Sequence, residues 1–224
     1  MFQKVNDVTL YYDKSGLGRP VILLHGNGES YEIFDKLIPR LNKQYTVYAI
    51  DSRGHGRSSR VKTLDYDSMA EDIVEFIKAM KIEKPIIYGF SDGGIIGIII
   101  AFRYPELLSK LIVSGANVQP GGIKEKYLKI FRFIYKITKS SKYNLMLTQP
   151  DISDEELGKI IVDTLILAGS NDMIAEEHTM HIAECIPTST LRILKGENHE
   201  SYVAHNVKLY DIIKPFLDKG NKIK

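Results

Sequence analysis

The chain of 224 residues has no tryptophan and a single cysteine, Cys185. One cysteine excludes an internal disulfide and fits a reducing compartment. Neither sign of charge is in excess: 30 Lys and Arg stand against 28 Asp and Glu, a net +2, which gives no footing for a nucleic-acid partner. The apolar stretch Ile95 to Phe102 falls far short of the roughly 20 residues a membrane-spanning helix requires, so no integral membrane segment is expected. Met1-Phe-Gln-Lys-Val-Asn-Asp7 lacks the apolar core of a signal peptide, and the expected location is the cytoplasm. Internal repeats and low-complexity segments are absent.

What is present is ordinary globular composition, 44% hydrophobic and 26% charged. The length suits one domain, residues 1–224, able to bury most of its apolar surface. Short apolar runs predict strands at Val8 to Tyr12, Val21 to Leu24, Tyr45 to Ile50, Ile86 to Tyr88, Leu111 to Val113, Leu165 to Ala168 and Leu191 to Leu194. Between them, helical spacing appears at Glu32 to Leu41, Ser68 to Met80, Glu176 to Cys185 and Val203 to Leu217. The alternation predicts an α/β fold: a mostly parallel twisted sheet with helices on both faces. Residues 118–160 interrupt it as a short helical cap, with a helix from Ile123 to about Thr138.

The chain is organised around Pro85-Ile-Ile-Tyr-Gly-Phe-Ser91-Asp-Gly-Gly-Ile-Ile-Gly97. A serine flanked by glycines two residues before and after can occupy a very sharp strand-to-helix turn, because glycine allows backbone to crowd the turn. The isoleucine-rich stretch that follows is ambiguous by propensity. Its length and the placement of Asp92 at its start favour a buried helix.

In a parallel sheet the ligand site lies beyond the carboxyl ends of the strands. His25-Gly-Asn-Gly28, Ser91, Asp172 and His199 each follow a predicted strand, so they are expected on one edge. A serine hydroxyl needs a base to become a nucleophile, and the imidazole needs a carboxylate to fix its tautomer. Ser91, His199 and Asp172 can supply these parts. Backbone N–H groups of Asn27 and Asp92 are the candidate oxyanion donors.

With His25-Gly-Asn-Gly28, Asp51-Ser-Arg-Gly-His-Gly-Arg-Ser58, Gly89-Phe-Ser-Asp-Gly93, Gly169-Ser-Asn-Asp172 and His199 in this order, the chain resembles the α/β-hydrolase fold superfamily over nearly its whole length. Within it, the chain is most similar to small bacterial esterases and to peptidases of the proline iminopeptidase type. The resemblance implies a nucleophile at Ser91, an acid at Asp172, a base at His199, and oxyanion donors at Asn27 and Asp92. It also implies hydrolysis of a small-molecule acyl substrate, an ester or less readily an amide, without metal or organic cofactor. Three departures stand out: Asp92 beside the nucleophile, Asn198 where the family often has glycine, and a cap shorter than usual.

Alternatives exist at each position. Asp151, Asp154 and Asp163 compete for the acid, and His205 for the base, although it is expected inside the closing helix. The position after Leu111 to Val113, the strand that follows the Ser91 turn and its helix, offers Ser114 and Asn117 but no carboxylate, which favours Asp172. His25 and His55 read as loop braces. His178 and His181, three apart on a helix, could touch one metal ion, but a solvated helical face explains them better. In the cap, Ile123, Tyr127, Ile130, Phe131 and Ile134 cluster opposite Lys129, Arg132, Lys136 and Lys139. The expected arrangement roofs the site with the apolar side, making Phe90, Tyr127, Phe131 and Ile134 the substrate-binding candidates. An amphipathic helix at a membrane surface, or one meeting an anionic substrate, is the other reading of the same segment. Nothing in the sequence indicates an oligomeric state.

Overall fold

The chain opens with a strand outside the elements predicted from the sequence. In a computed structural model that describes residues 1–219, Phe2–Val5 (β1) pairs antiparallel with Val8–Ser15 (β2). Asn6, at φ 45°, turns the chain between them. Arg19–Leu24 (β3), Tyr45–Ile50 (β4), Ile86–Phe90 (β5), Lys110–Ser114 (β6), Thr164–Gly169 (β7) and Ser189–Leu194 (β8) complete one sheet in the order β1-β2-β4-β3-β5-β6-β7-β8. From β4 to β8 every pairing is parallel.

The strand residues alternate between two cores. Ile22, Leu24, Ile87, Leu111 and Val113 face Tyr66–Ala79 (α2) and Asp92–Arg103 (α3) on one side. Val21, Leu23, Ile86, Tyr88 and Ile112 face Phe34, Leu37 and Leu41 together with Leu209, Ile213 and Leu217 of the closing helix. Because both faces are covered, the central strands read as continuous apolar runs. Each fully buried aliphatic side chain contributes about 1.5–3 kcal/mol relative to exposure, so alternate residues anchor opposite layers.

The isoleucine-rich segment is helical, as expected, and every residue from Asp92 to Phe102 is buried. Tertiary burial on all sides overrides the β preference of its branched side chains. Helix α2 begins at a cap formed by Asp65, whose carboxylate accepts the Ser68 N–H at 2.7 Å.

Three segments differ from the sequence expectations. Glu32 to Leu41 is not one helix but a 3₁₀ turn at Tyr31–Phe34 and a single turn at Ile38–Leu41 (α1), with Pro39 in its first turn. Proline has no N–H to continue a preceding helix, which divides the segment. The cap carries Glu125–Thr138 (α4) and also two helices the sequence did not mark, Ser141–Thr148 (α5) and Asp154–Gly158 (α6). Glu176–Cys185 (α7) matches its prediction. The closing helix begins at Lys208 rather than Val203 and runs to Asp218 (α8). His205 thus lies before it, at φ 50°, and not within it.

Candidate active site

The chain passes from β3 outward to β4 and returns on the other side of β3 as β5. This reversal opens a crevice at the carboxyl ends of β3 and β5, and the loop after β3 and Ser91 after β5 both enter it. Ser91 sits at φ 52°, ψ −116°, a conformation that non-glycine residues adopt only when the surroundings enforce it. They do so through close backbone approach: a Cβ on Gly89 would lie 2.1 Å from the Gly93 carbonyl oxygen, and one on Gly93 2.2 Å from that of Leu24. The Ser91 N–H donates to the Ser114 carbonyl at 2.8 Å, tying the turn to β6.

His199 and Asp172 arrive from the loops after β8 and β7. The Nε2 atom of His199 is 3.1 Å from Ser91 Oγ, and its Nδ1 is 2.7 Å from Asp172 Oδ1. Asp172 also accepts the backbone N–H of Ile174 at 3.0 Å and that of Gly169 at 3.4 Å. Burial alone would raise its carboxyl, but the His199 hydrogen bond and charge, with these two N–H groups, hold it below the usual carboxylate range. Asn198 has a definite task. Its side-chain oxygen accepts the N–H groups of Glu200 and Ser201 at 3.0 and 2.9 Å, fixing the turn that presents His199.

Neither the Asn27 nor the Asp92 backbone N–H has an acceptor among the described residues. Asp92 opens α3, where first-turn N–H groups lack helical partners. Its side chain does not face the cavity above Ser91. The carboxylate is buried and accepts the Tyr66 hydroxyl at 2.8 Å. Burial pushes it up to about 6, with Tyr66 and the Asn27 side chain pulling it back. His25 and His55 behave as braces. His25 Nδ1 lies 2.7 Å from the Gly26 carbonyl and its Nε2 accepts the Ser52 N–H at 3.1 Å. Burial lowers the two imidazoles to about 4 and about 3, which keeps both neutral near pH 7.

The cavity over Ser91 has a volume of about 290 Å³ and a mixed lining. Of the four predicted substrate contacts, Phe90 and Phe131 line it, while Tyr127 and Ile134 do not. Tyr127 instead packs with Ile123, Leu128 and Ile174 at the base of the cap. Ile130, grouped with the roofing side in the sequence, is 51% exposed and points outward with Phe133 and Ile137. The missing part of the roof is α5, which brings Lys142, Tyr143 and Met146 to the cavity. Glu29, Met173 and Glu200 also line it. Met173 and Glu200 directly follow Asp172 and His199 in sequence, a signal that adjacency alone could have supplied. Burial pushes the Glu29 carboxyl up to about 7, partly offset by the Gly26 N–H it accepts at 2.8 Å.

The competing residues lie elsewhere. Asp163 is exposed at the amino end of β7, and Asp151 is exposed in the cap. His205 is exposed and pairs with Asp35 at 3.0 Å. His178 and His181 do not converge. His178 Nε2 accepts the Val118 N–H at 3.0 Å, whereas His181 turns to Asp154 at 2.8 Å.

Comparison with known proteins agrees with this architecture. Human serine hydrolase BPHL is 38% identical over 122 residues, covering 50% of this chain but only 41% of that one. The AB hydrolase superfamily protein YisY of Bacillus subtilis is 27% identical over 255 residues, covering 93% and 95%. A solved structure of a thermophilic esterase from Thermogutta terrifontis superposes with a TM-score of 0.78 at 21% identity, covering 95% of this chain and 94% of that one. Residues 19–135, from β3 into α4, match the family described as the alpha/beta hydrolase fold, and the chain belongs to that family.

Proposed function

We propose that the protein is a serine hydrolase that cleaves small carboxylic esters through an acyl-Ser91 intermediate. The observation that supports this best is the unbroken relay Ser91 Oγ, His199, Asp172, at 3.1 and 2.7 Å, on a strained turn that opens into a cavity. Ser91 Oγ attacks the ester carbonyl while His199 Nε2 takes its proton. Asp172 keeps the proton on Nδ1 and steadies the imidazolium. The carbonyl oxygen gains negative charge and meets the free N–H groups of Asn27 and Asp92. His199 then protonates the departing alkoxide, and the alcohol leaves. A water molecule gives its proton to the same nitrogen, attacks the acyl carbon, and releases the acid and Ser91.

A cavity of about 290 Å³ is at the small end of ligand sites, which favours short acyl groups. No metal or organic cofactor has a part in these steps, and the lone Cys185 suits a cytoplasmic setting. Among the described residues no helix is long and apolar enough to cross a membrane.

A second reading has a specific observation in its favour. Glu29 and Glu200 both line the cavity beside Ser91, so an acyl group bearing an amine would find carboxylates there, as an aminopeptidase-like substrate requires. Asp92 is not available for that purpose, because its side chain is buried and does not line the cavity. Parallel assays with p-nitrophenyl acetate, an amino-acid p-nitrophenyl ester and a prolyl arylamide separate the readings. Preference for the acetate supports the simple esterase, and preference for either amine-bearing substrate supports the second reading. Loss of none of these activities in Ser91→Ala removes both.

A further inference from the structure

Where α6 meets α7, three side chains of different chemistry converge. His181 and Cys185 lie four residues apart on α7 and so share one face of it. Asp154 is the first residue of α6, held by the Ser153–Glu156 capping box. His181 Nε2 is 2.8 Å from Asp154 Oδ1 and 3.7 Å from Cys185 Sγ. One ligand atom from each of the three lies within 4.8 Å of the others, and no other group of three such side chains does so among the described residues.

We propose that Asp154, His181 and Cys185 bind one borderline-soft divalent cation of the Zn²⁺ class. The donor set is one carboxylate oxygen, one imidazole nitrogen and one thiolate sulfur, with the fourth position left to water. Bond lengths of about 2.0–2.3 Å to such an ion set tetrahedral edges of roughly 3.3–3.6 Å. The nitrogen–sulfur separation of 3.7 Å already matches. The nitrogen–oxygen separation must open by about half an ångström, a small rotation for an Asp154 side chain that is 66% exposed. An ion pair accounts for the His181–Asp154 contact and helical spacing for the His181–Cys185 one, and together they set three donors of different chemistry around one point. Sulfur with nitrogen discriminates against Mg²⁺ and Ca²⁺, which require several oxygens.

Binding releases the Cys185 thiol proton to water, and the imidazole carries its remaining proton on Nδ1 so that Nε2 can ligate. Thiolate and carboxylate together balance the two charges of the ion. The ion would fasten α6, the last helix of the cap, to α7, which follows the Asp172 loop.

The test is titration of the chelator-treated full-length chain with Zn²⁺ and with Co²⁺ alone. One equivalent should bind with a micromolar or tighter dissociation constant, and Co²⁺ should give a thiolate charge-transfer band in the near ultraviolet. Cys185→Ser should lose that band and at least tenfold in affinity. His181→Ala and Asp154→Asn should each lose at least tenfold, while His205→Ala binds as the wild type does. Asp154 and His181 are exposed and Cys185 is half-buried against the core, and circular dichroism checks that each variant is folded. Failure of the wild type to bind below submillimolar concentration would overturn the proposal, as would affinity unchanged in Cys185→Ser and His181→Ala.

Discussion

Gly115 is packed directly against His199: a Cβ at this position would lie 2.8 Å from Cε1 and 2.9 Å from Nδ1 of the imidazole. Gly115 also has φ +63°, where an L side chain is strained. A methyl group there would push the ring away from Ser91 and Asp172. Gly115→Ala should therefore lower kcat by at least about 100-fold, since small misplacements of a catalytic group have effects of that size. Gly121→Ala is the control, because nothing lies within 4 Å of its added Cβ. Steady-state kinetics on both variants, with thermal melts to confirm folding, check the difference.

Asp172 keeps its carboxylate ionised through hydrogen bonds from His199, Ile174 and Gly169. Asp172→Asn preserves shape but favours the wrong imidazole tautomer, so kcat should drop by about 10⁴. Asp163→Asn, at an exposed site on the opposite sheet edge, should be close to wild type. Initial-rate measurements with one ester decide the ranking.

Acyl-chain selection should depend on the cap residues that reach the cavity. Phe131 lines it and packs at a tilt against Tyr143, with ring centroids 5.8 Å apart. Each methylene it covers is worth about 0.8 kcal/mol, roughly fourfold in affinity. Phe131→Ser should raise KM for butyryl esters more than for acetyl esters. Ile134→Ser, outside the lining, should change both little. A chain-length series of p-nitrophenyl esters measures this directly.

Glu29 gives a pH-dependent signature in stability. Its carboxyl moves from 4.5 to about 7 on folding, chiefly through burial, so the folded state keeps a proton that the unfolded chain releases between those values. The unfolded state then binds fewer protons, and this residue's contribution to stability declines as pH rises through that window. Glu29→Gln removes the decline while keeping an acceptor for the Gly26 N–H. The variant should gain on the wild type in urea unfolding between about pH 5 and pH 8. A constant offset across that range would place the ionisation elsewhere.

Legibility from sequence followed the strength of the local signal. β3 to β7 lie inside the sheet with both faces covered, so each appears as a compact apolar run, whereas β8, at the edge, alternates half-buried and exposed residues; the residues just after these strands mark the candidate site. β1 is a four-residue edge strand with only Val5 buried, too short and too exposed to show a pattern. α5 buries only Leu145 and has no clear apolar stripe, yet it delivers Lys142, Tyr143 and Met146 to the cavity. The roof was hidden for that reason. On α4 the apolar residues are spread around much of the helix, so a wheel could not tell that Phe131 faces the cavity while Phe133, 66% exposed, faces water. Tertiary placement of the cap decides that, and it leaves no mark in local spacing.

Whether Ser91 is an activated nucleophile is read by intact-mass analysis after exposure to a fluorophosphonate. The wild type should carry one adduct per chain, mapped to the peptide containing Ser91, and Ser91→Ala should carry none despite an unchanged melting curve. An unmodified wild type, or an adduct that persists in Ser91→Ala, would contradict it.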